Sequence, residues 1–143
     1  MKLIQLLAML AALALPAGLT SCSTTGGTGA TTSNYTPFIA PAAALATAAV
    51  LDKAVSADDR SEKAALATKV AAALSTITDP DTTGKEVAAV VLAETGPKPH
   101  WIAFAQVVSL LYDRYSERIG ASKYSVVLHE LSTGITTGAA PYL

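Results

Sequence analysis

Residues 99–119 read Pro-His-Trp-Ile-Ala-Phe-Ala-Gln-Val-Val-Ser-Leu-Leu-Tyr-Asp-Arg-Tyr-Ser-Glu-Arg-Ile, and their pattern decides the fold class. Trp101, Phe104, Val108, Leu111 and Tyr115 recur at spacings of three and four, while Gln106, Ser109, Asp113 and Ser116 fall on the other side. That is the period of an amphipathic helix burying one stripe. Gly120 is placed to cap its C-terminus, and Arg118 lies favourably against the helix dipole.

Working outward, Ser122 is placed to cap a last helix carrying Tyr124, Val127, Leu128, Leu131 and Ile135. Gly134 and the Thr-Gly that follows weaken the end of that helix. Upstream, Gly96-Pro97 closes a short helix through Val87, Val90, Val91 and Ala93. Thr83 and Glu86, three residues apart, form the capping box that opens it. Asp79-Pro80-Asp81 breaks the chain, because proline biases the residue before it out of the helical region.

From Pro41, suited to a first helical position, the pattern is helical again, with Leu45, Ala48, Ala49, Leu51 and Val55 at helical spacing. Ser56-Ala57-Asp58-Asp59 has the form of a cap with acids in the first turn. Leu66, Val70, Ala73, Leu74 and Ile77 then make a second stripe. With neither glycine nor proline at the junction, one continuous helix over 42–77 and two helices both fit. The sum is an all-α domain over residues 41–143, a small antiparallel bundle of four to five short helices.

The first 40 residues are of another kind. Ser23 to Ala40 is rich in Ser, Thr and Gly, with Gly26-Gly27-Thr28-Gly29 at its centre. Such a segment buries too little apolar surface to offset its ordering entropy, so it reads as a disordered tether. Its 18 residues give a root-mean-square reach on the order of 25 Å. A phosphate-binding glycine loop is a poor alternative, since no strand precedes it and no Gly-Lys-Ser/Thr follows. Tyr35, Phe38 and Ile39 are placed to dock back on the domain.

Before the tether, Lys2 is the only charge ahead of Asp52, and Leu3 to Leu15 is a 13-residue apolar run interrupted only by Gln5. That length suits the core of a secretion signal and falls short of the roughly 20 residues that span a bilayer. Pro16 and Gly18 then break the helix. Leu19-Thr20-Ser21-Cys22 resembles the lipobox of bacterial lipoproteins: a branched apolar residue, two small ones, then cysteine. An ordinary small-x-small cleavage site is poorly formed here, because Leu15-Pro16-Ala17 places leucine where a small residue is wanted.

The resemblance covers only residues 1–22. It implies removal of a signal peptide, residues 1–21, and a thioether-linked diacylglycerol on Cys22, commonly with a third acyl chain on the new amino group. Two or more chains hold a protein on a membrane where one gives marginal binding. It also implies a lipid-anchored protein of the cell envelope. Ser23 in place of aspartate favours the periplasmic face of the outer membrane if the host is Gram-negative. Cys22 is the sole cysteine, which excludes an internal disulfide framework.

Without Lys2 there remain nine basic and eleven acidic side chains, a net charge of −2. No basic patch is interleaved with aromatics, so nothing here suits a nucleic acid. Chemistry is equally thin. His129 and Glu130 are adjacent, and adjacent helical side chains point about 100° apart, so they form no dyad. His100 stands at a helix start. Asp58, Asp59 and Glu62 are acids with an ordinary reason to sit near a helix N-terminus. No nucleophile has a base and an orienting group, and no metal-ligand spacing or cofactor motif occurs.

The reading is therefore a non-enzymatic, membrane-anchored lipoprotein acting through contacts with envelope proteins. The alternative is a small module binding an apolar ligand or lipid, with Trp101, Phe104, Tyr112 and Tyr115 as its binding patch. A solid core around those aromatics argues against that alternative, and a sizeable apolar cavity argues for it.

Overall fold

A computed structural model describes residues 36–120 and 124–143. The proposed signal peptide, Leu19-Thr20-Ser21-Cys22, the tether as far as Tyr35, and Ser122 lie outside the described residues. Five helices follow in order: α1 (Thr36–Lys53), α2 (Arg60–Ser75), α3 (Gly84–Thr95), α4 (Pro99–Ile119) and α5 (Tyr124–Ala139). Short 3₁₀ turns, Ala57–Asp59 and Ala140–Tyr142, precede α2 and follow α5. The fold is an all-α bundle, with no strand among the described residues.

The amphipathic stretch forms α4 over the expected residues. Trp101, Phe104 and Val108 are fully buried, Tyr115 nearly so, and the same face adds Ala105, Tyr112 and Ile119. Trp101 meets Phe104 edge-on at a ring separation of 5.7 Å, a favoured aromatic geometry. The turns after α3 and α4 fall on Gly96 and Gly120, whose φ values of 77° and 94° are strained for any side chain. The Thr83 capping box is closed: the Thr83 N–H donates to Glu86 Oε2 at 2.7 Å, and the Glu86 N–H donates back to Thr83 Oγ1 at 3.4 Å.

The first helix begins earlier than the composition of the tether suggested. It starts at Thr36, so Pro41 lies inside α1, not at its first position, and the domain boundary moves from residue 41 to residue 36. Ile39 explains this, being fully buried in the core and fixing the first turn. Pro41 costs a single backbone bond, to the carbonyl of the exposed Pro37. The buried stripe also differs. Leu45 is 57% exposed; the core keeps the expected Leu51 and Val55 and adds Ile39, Ala43, Ala46 and Val50.

Residues 42–77 form two helices. The chain leaves α1 at Ala54, takes Ser56 in extended conformation and re-enters through the 3₁₀ turn. Ser56 Oγ donates to Asp59 Oδ2 at 2.7 Å across the turn. Arg60 reaches back to the Asp52 carbonyl at 3.1 Å and ties α2 to the end of α1.

The closest packing joins the ends of the chain. A Cβ on Gly134 would lie 2.7 Å from Ala43 Cβ, and one on Gly138 would lie 2.8 Å from Thr47 Cβ. The two glycines let the backbones of α5 and α1 approach over small side chains. The register shows that these helices run parallel, with Gly134 beside Ala40 and Ala43 and Gly138 beside Ala44 and Thr47. The antiparallel expectation therefore fails for this pair. It holds for α2 and α5, where Ser132 donates to the Ala71 carbonyl and Tyr124 to the Thr78 carbonyl. The expected weakening at Gly134 is absent too: α5 continues to Ala139 because packing there requires glycine.

Candidate functional site

One cleft of about 220 Å³ opens where the turn after α2, the second half of α4 and the first turn of α5 meet. Its walls are Pro80, Thr82, Tyr112, Ser116, Glu117 and Tyr124. The turn is shaped by Asp79, whose Oδ1 accepts the Asp81 N–H at 2.9 Å while its carbonyl accepts the Thr82 hydroxyl at 2.8 Å. Tyr112 and Ser116 stand one helical turn apart on α4. Tyr124 closes the far wall, its hydroxyl donating to the Thr78 carbonyl at 2.6 Å.

The electrostatics of this cleft are acidic. Tyr112 is 1% exposed, and burial pushes its hydroxyl above the ordinary tyrosine range, followed by the influence of Asp113, Tyr124, Glu86 and Asp79. A neutral phenol beside carboxylates and a second phenol suits the contact of a polar, cationic group. It offers no nucleophile with a base. Among the described residues no three His, Cys, Asp or Glu side chains are grouped to hold a metal ion.

The four aromatics read as a binding patch do not form one. Trp101 and Phe104 are fully buried in the core, and Tyr112 and Tyr115 are 1% and 7% exposed. Only Tyr112 reaches the cleft. The physical reason is size: a thin, alanine-rich bundle depends on its few large rings to fill the centre. Cys22, Leu19, Thr20 and Ser21 lie outside the described residues.

The other candidates resolve as local structure. Asp59 is bonded to Ser56, and Glu62 to Lys63. His129 is exposed on α5. His100 packs beside Trp101 at a ring separation of 5.4 Å, and its imidazole is held below its ordinary value by burial first, then by Lys98 and Lys63. His100 Nε2 and Trp101 Nε1 are both buried without a hydrogen-bond partner.

Asp113, on the polar side of α4, has a specific partner. Its Oδ1 accepts the Gly84 N–H at 2.7 Å, so a residue of α4 caps the first turn of α3. Sequence reasoning also missed Pro80, Thr82, Glu117 and Tyr124 as cleft residues. No local spacing links them, since the site exists only once the 79–82 turn is laid against α4. No protein-family model, curated protein or solved structure matches this chain.

Proposed function

We propose that the protein is a lipid-anchored component of the bacterial cell envelope, tethered through Cys22 and acting through contacts with other envelope proteins without catalysis. The observation that carries this reading is Leu19-Thr20-Ser21-Cys22, set between a 13-residue apolar run and a Ser/Thr/Gly-rich spacer. The run is too short to stay as a span, the small residues suit a peptidase, and the cysteine supplies the acceptor thiol. Among the described residues no helix is long and apolar enough to cross a membrane. Attachment in this reading rests on the lipid, whose two or more acyl chains suffice. Ser23 favours the outer membrane of a Gram-negative host.

Fractionation of cells expressing the wild-type chain or Cys22→Ala tests the anchor. The wild type is expected with membranes as a chain shortened by the removal of residues 1–21, and the variant as an unshortened precursor without lipid. A variant that is shortened and held on membranes like the wild type overturns the assignment.

A second reading, a small-ligand module, keeps one observation in its favour, the cleft between Tyr112 and Tyr124. Its lining shifts the expected ligand from apolar to a small organic cation. Titration with simple alkylammonium salts, followed by NMR of the tyrosine rings, is expected to move Tyr112 and Tyr124 selectively. Rings that do not respond end this reading.

A further inference from the structure

No Asp, Glu, Lys or Arg occurs between Ser23 and Leu51, and none follows Glu130. The fold lays these two uncharged stretches side by side, since α1 packs along the second half of α5 through Gly134 and Gly138. The pair has Glu130 near one end and Asp52 and Lys53 at the other. Between them α1 runs 16 residues without a charge, about 24 Å of helix. Its outward side carries Phe38 at 46% exposure and Leu45 at 57%. Pro41 stands between them, and the three share one helical face. On α5 the exposed residues of this stretch are Thr133, Thr136 and Thr137.

A helix facing water ordinarily turns charged side chains outward. This one turns out a phenylalanine, a proline and a leucine. Leu110, also exposed at 62%, makes the contrast, because of its helical neighbours one turn away, Gln106, Val107, Asp113 and Arg114, three are polar or charged. The position of the uncharged side matters as much as its chemistry. In the lipid-anchored reading, on which this inference rests, 13 residues separate Cys22 from Thr36. A Ser/Thr/Gly-rich spacer of that length reaches on the order of 20 Å, which in that reading keeps the first turn of α1 close to the bilayer. Two exposed side chains would not hold an untethered domain on a membrane. Once the acyl chains hold it, those side chains only have to orient it.

We infer that the uncharged side of α1, centred on Phe38 and Leu45, seats on the lipid surface to which the chain is anchored. The occupant is the interface of a bilayer with neutral or zwitterionic headgroups. An interfacial helix drawn to anionic lipid carries Lys and Arg along its polar face, and this one has only Lys53, its last residue, next to Asp52. The charged helices α2, α3 and α4 then face the aqueous compartment, where a protein partner would meet them.

The test places an environment-sensitive fluorophore on Leu45→Cys or on Leu110→Cys in the full chain. Each protein is purified from the membrane fraction and reconstituted into phosphatidylcholine vesicles. The label at position 45 is expected to be quenched several-fold more by a lipid-borne nitroxide than the label at position 110, and to be shielded from aqueous iodide. Equal quenching at the two positions in vesicle-bound protein overturns the seating while leaving the anchor intact, and returns the α1 side to a protein partner. Protein that does not sediment with vesicles, or that takes up two labels per chain, overturns the anchor and the seating with it.

Discussion

His100 stands on the first turn of α4 with its Nε2 buried and without an acceptor. Burial, then Lys98 and Lys63, hold its pKa below the ordinary 6.5. A group whose folded pKa is depressed contributes stability that is complete above its unfolded value and is lost as pH falls through the folded one. The melting temperature is therefore expected to begin to drop as pH falls through the ordinary histidine value of 6.5, ahead of the carboxylates, which titrate near about pH 4. His100→Gln is expected to flatten that drop, and identical wild-type and variant profiles in thermal melts would remove His100 as the cause. Asp113 makes a second prediction at this scale. Asp113→Ala removes the acceptor for the Gly84 N–H and is expected to cost about 1 kcal/mol in denaturant unfolding, as the loss of a helix cap does. A neutral result would place that bond among surface contacts of no consequence. Asp113 was illegible in the sequence because its partner is 29 residues away, and one carboxylate on a polar face resembles any other.

At the scale of elements, two glycines separate propensity from packing. In an isolated helix, replacing glycine by alanine gains roughly 1 kcal/mol. In α5 the added methyl of Gly134→Ala would press on Ala43 and the Ala40 carbonyl, and that of Gly138→Ala on Thr47 and the Ala44 carbonyl. Each is expected to lose about 1–3 kcal/mol by overpacking, and a stabilised variant in chemical denaturation would contradict the parallel α1–α5 contact. The same contact explains what the sequence could and could not convey. Periodicity was enough for α4, where large side chains mark the stripe, and the Thr83–Glu86 box located the start of α3. In α1 half of the buried side is small, Ala43, Ala46 and Thr47, so hydrophobicity pointed to Leu45, which faces out. The early start at Thr36 was hidden for a related reason. Ile39 was legible as a residue that docks on the domain, but the tether-like composition around it hid that it does so from within the first helix.

Across the whole molecule, charge is partitioned by chain position before it is partitioned in space. The uncharged stretches 23–51 and 131–143 meet in the α1–α5 pair. The charged residues between them lie on α2, α3, α4 and the connecting segments, apart from Asp52 and Lys53 at the end of α1 and Glu130 on α5. The cleft by Tyr112 is likewise a product of tertiary structure, assembled from three segments with no common motif. In the proposed reading the address is the legible part, because a lipobox is a local signal read by enzymes from a few consecutive residues. Partner recognition spreads over a folded surface and leaves no such mark. The central claim is that Cys22 becomes the lipid-bearing first residue. Mass spectrometry of the N-terminal peptide from membrane-extracted protein tests it most directly. The account predicts a chain beginning at Cys22 with a diacylglycerol on its sulfur; a peptide that retains residues 1–21, or one with an unmodified Cys22 thiol, would contradict it.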